Sequence, residues 1–113
     1  MDDFAVRVEA LPDGGLVAHV AGELDMATTP RLEEALAGRG RAERLVVDLG
    51  ECSFLDSSAV RFLVQAARER EAAGGELVLA TDDPGIRRVL EITAVDTVLT
   101  VHPSVSAALR TAG

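Results

Sequence analysis

Short apolar runs that alternate with helical stretches constrain the fold of this chain more than any other feature of its sequence. Residues 45–49 and 77–80 are mostly apolar, as expected of strands that are covered on both faces, and residues 98–101 resemble them. Between these runs, apolar residues recur three and four positions apart, which is typical of amphipathic helices. Strands joined through helices are parallel and have right-handed crossovers. The sequence therefore predicts an α/β fold.

The N-terminal part predicts a different local structure. Phe4, Val6 and Val8 alternate with other residues, which is the two-residue period of a half-buried strand. Residues 12–15 (Pro-Asp-Gly-Gly) are typical of a turn, and a second strand is expected at residues 16–21. So short a connection predicts an antiparallel hairpin.

The predicted element order is ββαβαβαβα, a mixed, mostly parallel sheet with an N-terminal antiparallel hairpin and about four helices. A chain of 113 residues fits one domain, and we expect it to span residues 1–113. Thr29 and Asp83, each followed by Pro, are expected to cap helices, and Gly74 to end a long helix over residues 58–73. The last helix is expected to use Val105, Ala108 and Leu109 for packing.

Composition and charge exclude several classes of function. The formal net charge is -8, and the chain has no Trp or Tyr, so direct nucleic-acid binding is not expected. The first residues lack the pattern of a signal peptide, and no apolar run approaches the ~18 residues of a membrane span. We therefore expect a cytoplasmic protein without membrane contact. The single cysteine, Cys52, excludes an internal disulfide and is expected to be packed rather than reactive.

The sequence contains no clear signal for catalysis, a metal or a cofactor. His19 and His102 stand alone, without nearby Cys or a helical His partner, so neither a metal site nor a Ser-His-Asp arrangement is predicted. The chain has no Lys and no Gly-rich phosphate loop. We expect no catalytic residue, no metal and no cofactor.

Two polar segments follow predicted strands. Residues 22–25 (Gly-Glu-Leu-Asp) leave the second strand, and residues 53–58 (Ser-Phe-Leu-Asp-Ser-Ser) lead from the third strand into the long helix. Because the carboxyl ends of parallel strands lie at one edge of a sheet, the two segments should meet there. This arrangement would bring Asp25 close to Asp56, Ser57 and Ser58.

The Asp-Ser-Ser sequence at residues 56–58 has two interpretations. Asp and Ser are common helix caps, since their oxygens accept hydrogen bonds from unpaired backbone N–H groups. Alternatively, a serine hydroxyl exposed at the start of a helix is a phosphate acceptor, because the helix N-terminus favours negative charge. The spacing alone favours capping.

Several segments together resemble a known family. Residues 22–25, residues 54–58, the Gly-Gly-Glu-Leu turn at residues 74–77 and the Pro-Ser-Val sequence at residues 103–105 resemble the STAS domain of anti-sigma factor antagonists. The resemblance covers nearly the whole chain, in the predicted element order. The Asp-Ser-Ser segment is the most specific part of it.

This resemblance implies a partner-switching cycle. An unphosphorylated antagonist of this family binds a kinase-type anti-sigma factor and releases a sigma factor, and the kinase then phosphorylates the serine after the Asp, here Ser57. A serine phosphatase reverses the modification, and the free protein is a monomer. The resemblance implies that the partner is bound by Asp25, Asp56, Ser58, Ala59 and Arg61.

The sequence departs from the family pattern after Ser58. The family continues with Gly, a large aliphatic residue and another Gly, whereas this chain has Ala59, Val60 and Arg61. Arg61 lies four residues beyond Ser57, on the same side of a helix, and we predict that it pairs with a phosphate on Ser57. The alternative, that Arg61 is only a solvated charge, remains open at this point.

Two other functions are compatible with a STAS domain. One is an interaction subunit of an ABC-type lipid transporter, in which phosphorylation has no known part; the presence of Ser57 disfavours it. The other is a nucleotide-binding domain, and the lack of Lys and of a phosphate loop argues against catalysis by it.

Overall fold

Five strands form one sheet in the described part of the chain, in the same order as in the sequence. The computed structural model describes residues 3–39 and 43–110. The first pair of strands is antiparallel and all later neighbours are parallel, which confirms the predicted mixed sheet and N-terminal hairpin. The strands are β1 (Ala5–Ala10), β2 (Leu16–Leu24), β3 (Arg44–Leu55), β4 (Glu76–Ala80) and β5 (Val101–His102).

Within residues 3–39 and 43–110, four α-helices connect or follow the strands. They are α1 (Thr29–Leu36), α2 (Ser57–Ala72), α3 (Pro84–Ile92) and α4 (Val105–Arg110). The order ββαβαβαβα is confirmed, with a 3₁₀ turn at Val95–Thr97 that the sequence pattern did not predict.

The core has two parts because helices cover both faces of the sheet. The larger part joins α1, α2 and α3 to one face through Leu32, Leu63 and Leu90. The smaller part lies on the opposite face, where Ala108 of α4 joins a cluster with Val46. Successive residues of β3 therefore face different buried clusters, which explains why the beginning of this strand is almost continuously apolar.

Three strands differ clearly from their predicted bounds. The second was expected at residues 16–21, but β2 continues to Leu24. The third strand was expected to end near residue 49, but β3 continues to Leu55 because it stays paired with β2 through two irregularities in register. The last strand was expected at residues 98–101, but β5 contains only Val101 and His102. Val95 of the 3₁₀ turn is buried, whereas Val98 is 56% exposed. The chain reaches β4 only at Thr100, whose carbonyl accepts the Leu79 N–H.

Smaller corrections concern the helix ends. Thr28 and not Thr29 occupies the cap position of α1, although its side chain makes no capping hydrogen bond. Thr29 is the first residue of the helix, and its hydroxyl donates to the Asp25 carbonyl at 2.6 Å. Leu109 was expected to pack inward, but it is 36% exposed, and Ala108 is the buried residue of α4. The Asp83 cap of α3 is confirmed, since its carboxylate accepts the Ile86 N–H at 2.9 Å.

A histidine connects three strands on the face of the sheet opposite α1, α2 and α3. His19 of β2 lies between Glu9 of β1 and Asp48 of β3, with ring nitrogens 3.0 Å from Glu9 Oε1 and 2.8 Å from Asp48 Oδ2. We call these three residues the His19 cluster. Burial lowers the pKa of His19, but hydrogen bonds to both carboxylates outweigh burial and the nearby Arg7, and the pKa is raised above 6.5.

The His19 cluster predicts a specific pH dependence of stability. A raised folded-state pKa means that the cluster stabilises the fold below the unfolded-state pKa and that this stabilisation is lost as pH rises through the folded-state value. Between about pH 6 and about pH 8.5, the free energy of unfolding in urea should fall more for the wild type than for His19→Gln. Equal pH dependence in the two proteins would contradict the raised pKa of His19.

Candidate functional site

Asp56 defines the beginning of α2. Its backbone is extended, and its Oδ1 accepts the Ala59 N–H at 2.9 Å, so Asp56 is the N-cap residue. The capping interpretation of residues 56–58 is therefore correct for Asp56. Because the cap uses the side chain of Asp56, the Ser57 side chain is not needed for it.

The second carboxylate oxygen of Asp56 binds the neighbouring segment. Asp56 Oδ2 accepts the Met26 N–H at 3.1 Å, and the Asp56 N–H donates to the Leu24 carbonyl at 3.2 Å. These bonds join the β2–α1 turn, residues 25–28, to the start of α2. The predicted meeting of the two polar segments is therefore observed. Residues 22–24 and 53–55 of these segments lie within strands, and only Asp25 and residues 56–58 lie beyond the strand ends.

Asp25 stabilises the β2–α1 turn. Its Oδ1 accepts the backbone N–H groups of Ala27 and Thr28 at 2.9 and 3.1 Å. The Thr28 hydroxyl accepts the Asp25 N–H at 2.9 Å and donates to the Glu23 carbonyl at 2.7 Å. Asp25 is thus close to Asp56 through Met26, and the bonds of its own carboxylate lie within the turn. Its predicted contact with a partner stays a prediction.

Ser57 is the first residue of α2, and it is exposed. Within residues 3–39 and 43–110, its hydroxyl makes no hydrogen bond. As in every α-helix, the first backbone N–H groups, here those of Ser57 and Ser58, have no hydrogen-bond acceptor within the helix. Ser58 is half-buried. The Ser57 hydroxyl and the backbone N–H groups of Ser57 and Ser58 therefore lie at the N-terminus of a helix of 16 residues, where the helix dipole is positive.

Gly22 allows the N-terminal segment to pass close to β2. Its φ is +92°, and a Cβ at this position would lie 3.0 Å from the Asp3 carbonyl oxygen and 3.0 Å from Phe4 Cα. Both neighbours are backbone atoms, which cannot rotate away. The first residue of the Gly-Glu-Leu-Asp segment is therefore required for packing.

A sequence profile of the STAS domain matches residues 6–108. The chain belongs to the STAS domain family. BtrV of Bordetella bronchiseptica, provisionally named an anti-sigma factor antagonist, is 35% identical over 98 residues, which cover 85% of this STAS domain chain and 84% of BtrV. The anti-sigma-F factor antagonist RsfA of Mycobacterium tuberculosis is 29% identical over 101 residues, covering 86% of this chain and 79% of RsfA.

Solved structures agree with this assignment. The crystal structure of an anti-sigma factor antagonist from Mycobacterium paratuberculosis superposes with a TM-score of 0.84 at 29% identity, covering 96% of this STAS domain chain and 92% of that chain. The predicted family and fold are both confirmed.

The two departures from the family pattern have different positions in this STAS domain. Ala59 is completely buried, and its methyl group belongs to the core cluster that includes Leu63. Its predicted contact with a partner stays a prediction. Arg61 is exposed on α2 and makes no ion pair within the described part of the chain. Its side chain is therefore available to a group at Ser57.

Two exposed apolar residues at this edge of the sheet were not predicted from the sequence as candidate site residues. Met26 is 75% exposed and Phe54 is 49% exposed, and both lie next to Asp56 in this STAS domain. One signal could have identified Phe54: it is one of only three aromatic residues in the chain, and the next residue, Leu55, faces the core.

Other polar groups give no second candidate site. Burial is the main cause that raises the pKa of the Cys52 thiol, and the residue is 4% exposed, as expected for a packed cysteine. Among residues 3–39 and 43–110, no group of three His, Cys, Asp or Glu side chains is placed to hold a metal ion. No helix in the same ranges is long and apolar enough to cross a membrane.

Proposed function

We propose that this STAS domain is an anti-sigma factor antagonist. In the unphosphorylated state it binds a kinase-type anti-sigma factor through the surface around Ser57 and so frees a sigma factor. The kinase phosphorylates Ser57 and ends binding, and a serine phosphatase restores it. The protein acts by binding and not by catalysis. The observation that carries the proposal is the exposed Ser57 hydroxyl at the first position of α2, and the names of its relatives support it.

The position of Ser57 suits a reversible phosphate. A phosphoryl group adds about -1.5 to -2 charge, which the N–H groups and dipole at the start of α2 favour in the free protein. In a complex, the same charge must be desolvated, and this costs several kcal/mol unless the partner supplies a matching cation. Asp56 increases the cost of desolvation because it places a carboxylate, a second negatively charged group, next to the phosphate. Phosphorylation is thus tolerated by the fold and opposed by the interface.

Mass spectrometry tests the proposal directly. The purified chain is incubated with ATP and each kinase-type anti-sigma factor of its organism, and intact mass and peptide mapping are then measured. We expect one phosphoryl group on Ser57. The Ser57→Ala variant should show no gain, and the matched control Ser58→Ala should be modified normally. No modification by kinases that phosphorylate another antagonist would contradict the proposal.

Arg61 gives the phosphorylated form an additional predicted contact. We expect its guanidinium to pair with the phosphate on Ser57, because residues four apart are neighbours on a helix surface and Arg binds phosphate well. Exposed pairs contribute modestly, so Arg61→Ala should speed release of the phosphate by a serine phosphatase by about two- to fivefold. Arg68→Ala is the control, since Arg68 is exposed and lies about 16 Å from Ser57 along the axis of α2. Equal rates for wild type and Arg61→Ala would exclude the pair.

A further inference from the structure

We propose that Met26 and Phe54 are the two apolar anchors with which this chain binds the anti-sigma factor. The partner must then present an apolar depression bordered by Arg or Lys side chains. This inference rests on the proposed function and adds to it the residues that provide affinity, as distinct from Ser57, which controls it.

Both anchors belong to segments that meet at Asp56, the residue before Ser57. Met26 donates its N–H to Asp56 Oδ2 at 3.1 Å, and Phe54 precedes Asp56 by two residues at the end of β3. Phe54 is paired with Glu23 of β2, and Leu55 with Leu24, so the two strand ends are in register. The residues that carry the two exposed apolar side chains therefore lie at the same edge of the sheet as Ser57.

The anchors are held by rigid backbone. The β2–α1 turn that carries Met26 is closed by the Asp25 carboxylate, the Thr28 hydroxyl and the Thr29 hydroxyl, which bonds the Asp25 carbonyl. Phe54 lies in a paired strand. Ordering of flexible loops reduces affinity, so side chains on preformed backbone are favourable binding residues. Met and aromatic residues are also enriched in protein interfaces.

The distribution of aromatic residues supports an interface. The chain contains three Phe and no Trp or Tyr. Phe4 is buried and Phe62 packs against the core, whereas Phe54 is half exposed. Scattered exposed apolar residues are common in soluble proteins. Met26 and Phe54 differ from scattered residues because both adjoin the same cap residue beside the candidate switch.

The surrounding charge indicates the chemistry of the partner. Glu23 is exposed, Asp25 and Asp56 are half-buried, and the chain has a net charge of -8. Arg61 is an exposed cation beside Ser57, but the three carboxylates outnumber it, and a mainly anionic rim around an apolar centre is complementary to a depression with mainly cationic borders. If the Arg or Lys side chains of the partner are already paired with these carboxylates, they are not free to neutralise a phosphate on Ser57.

The test compares anchor variants with a matched apolar residue elsewhere. The anti-sigma factor is the one that phosphorylates Ser57 in the mass experiment, and ADP replaces ATP so that no phosphoryl transfer occurs during calorimetric titration. We expect Met26→Gln and Phe54→Thr each to weaken binding by roughly ten- to thirtyfold. Ile92→Gln, at a residue 71% exposed on α3, should change affinity less than about twofold. Both anchors are surface residues, and thermal unfolding of each variant checks that the fold is intact.

The outcomes separate this inference from the proposed function. If Ser57→Asp weakens binding while Met26→Gln and Phe54→Thr bind like wild type, the anchors are wrong and the switch stands. Equal weakening by Ile92→Gln also overturns the inference, because the effect would not be local. If the wild type binds none of the kinase-type anti-sigma factors, the proposed function falls and the anchors with it. Sedimentation measures self-association: a wild-type dimer that the anchor variants abolish would identify a second copy as the occupant and overturn the assigned partner.

Discussion

We expect Ser57→Asp to lower the affinity for the anti-sigma factor by about a hundredfold or more, and Ser57→Asn to change this affinity by about threefold or less. The two variants have side chains of nearly equal size and shape, so their difference isolates the charge. A carboxylate at Ser57 would lie next to the Asp56 carboxylate, which already uses both oxygens for the Ala59 and Met26 N–H groups. A partner that covers this position must desolvate the added charge, because in the proposed complex its cationic side chains are already paired with other carboxylates of this chain.

Stability measurements distinguish a local interface effect from a folding defect. A negative charge in the first turn of α2 is favourable by about 0.3–1 kcal/mol in the isolated protein, because the helix dipole is positive there. Ser57→Asp should therefore unfold at the same Tm as wild type or slightly above it. Titration calorimetry with the anti-sigma factor and ADP provides the affinities. Similar binding by Ser57→Asp and Ser57→Asn would mean that charge at this residue is not the switch.

Gly22→Ala is expected to reduce the free energy of unfolding by about 2–4 kcal/mol. Part of the loss is backbone strain, since φ is +92° and residues with a Cβ disfavour positive φ. The rest is overlap, because the new methyl group would lie 3.0 Å from backbone atoms of Asp3 and Phe4. The N-terminal segment would have to move away from β2.

Gly38→Ala is the matched control for this substitution. Gly38 also has a positive φ, +77°, but a Cβ there would have no atom within 4 Å. Its loss of stability should be limited to backbone strain, about 1–2 kcal/mol. Urea denaturation of the two variants measures the difference. If both variants lose the same free energy of unfolding, the backbone of Asp3 and Phe4 moves away from the new methyl group without loss of stability.

The local features of this protein were predictable from its sequence. The caps at Asp56 and Asp83 depend on a carboxylate and an N–H group three residues later, so both partners lie within one short segment. The hairpin depends on its turn residues, and the helix stripes depend on spacing. The Asp-Ser-Ser segment placed Ser57 at the start of α2 for the same reason. These interactions are short in sequence, and sequence patterns report them well.

The tertiary structure decided the features that depend on residues distant in sequence. β3 continues beyond its apolar run because β2 pairs with it as far as Leu55, and no property of residues 50–55 alone specifies that partner. Ala59 is buried because neighbouring elements close over the first turn of α2. Met26 lies beside Ser57 because Asp56, thirty residues later, accepts its N–H. The sequence thus determined which residue is the candidate switch, and only the packing of two strand ends determined which exposed apolar residues lie at the same edge of the sheet.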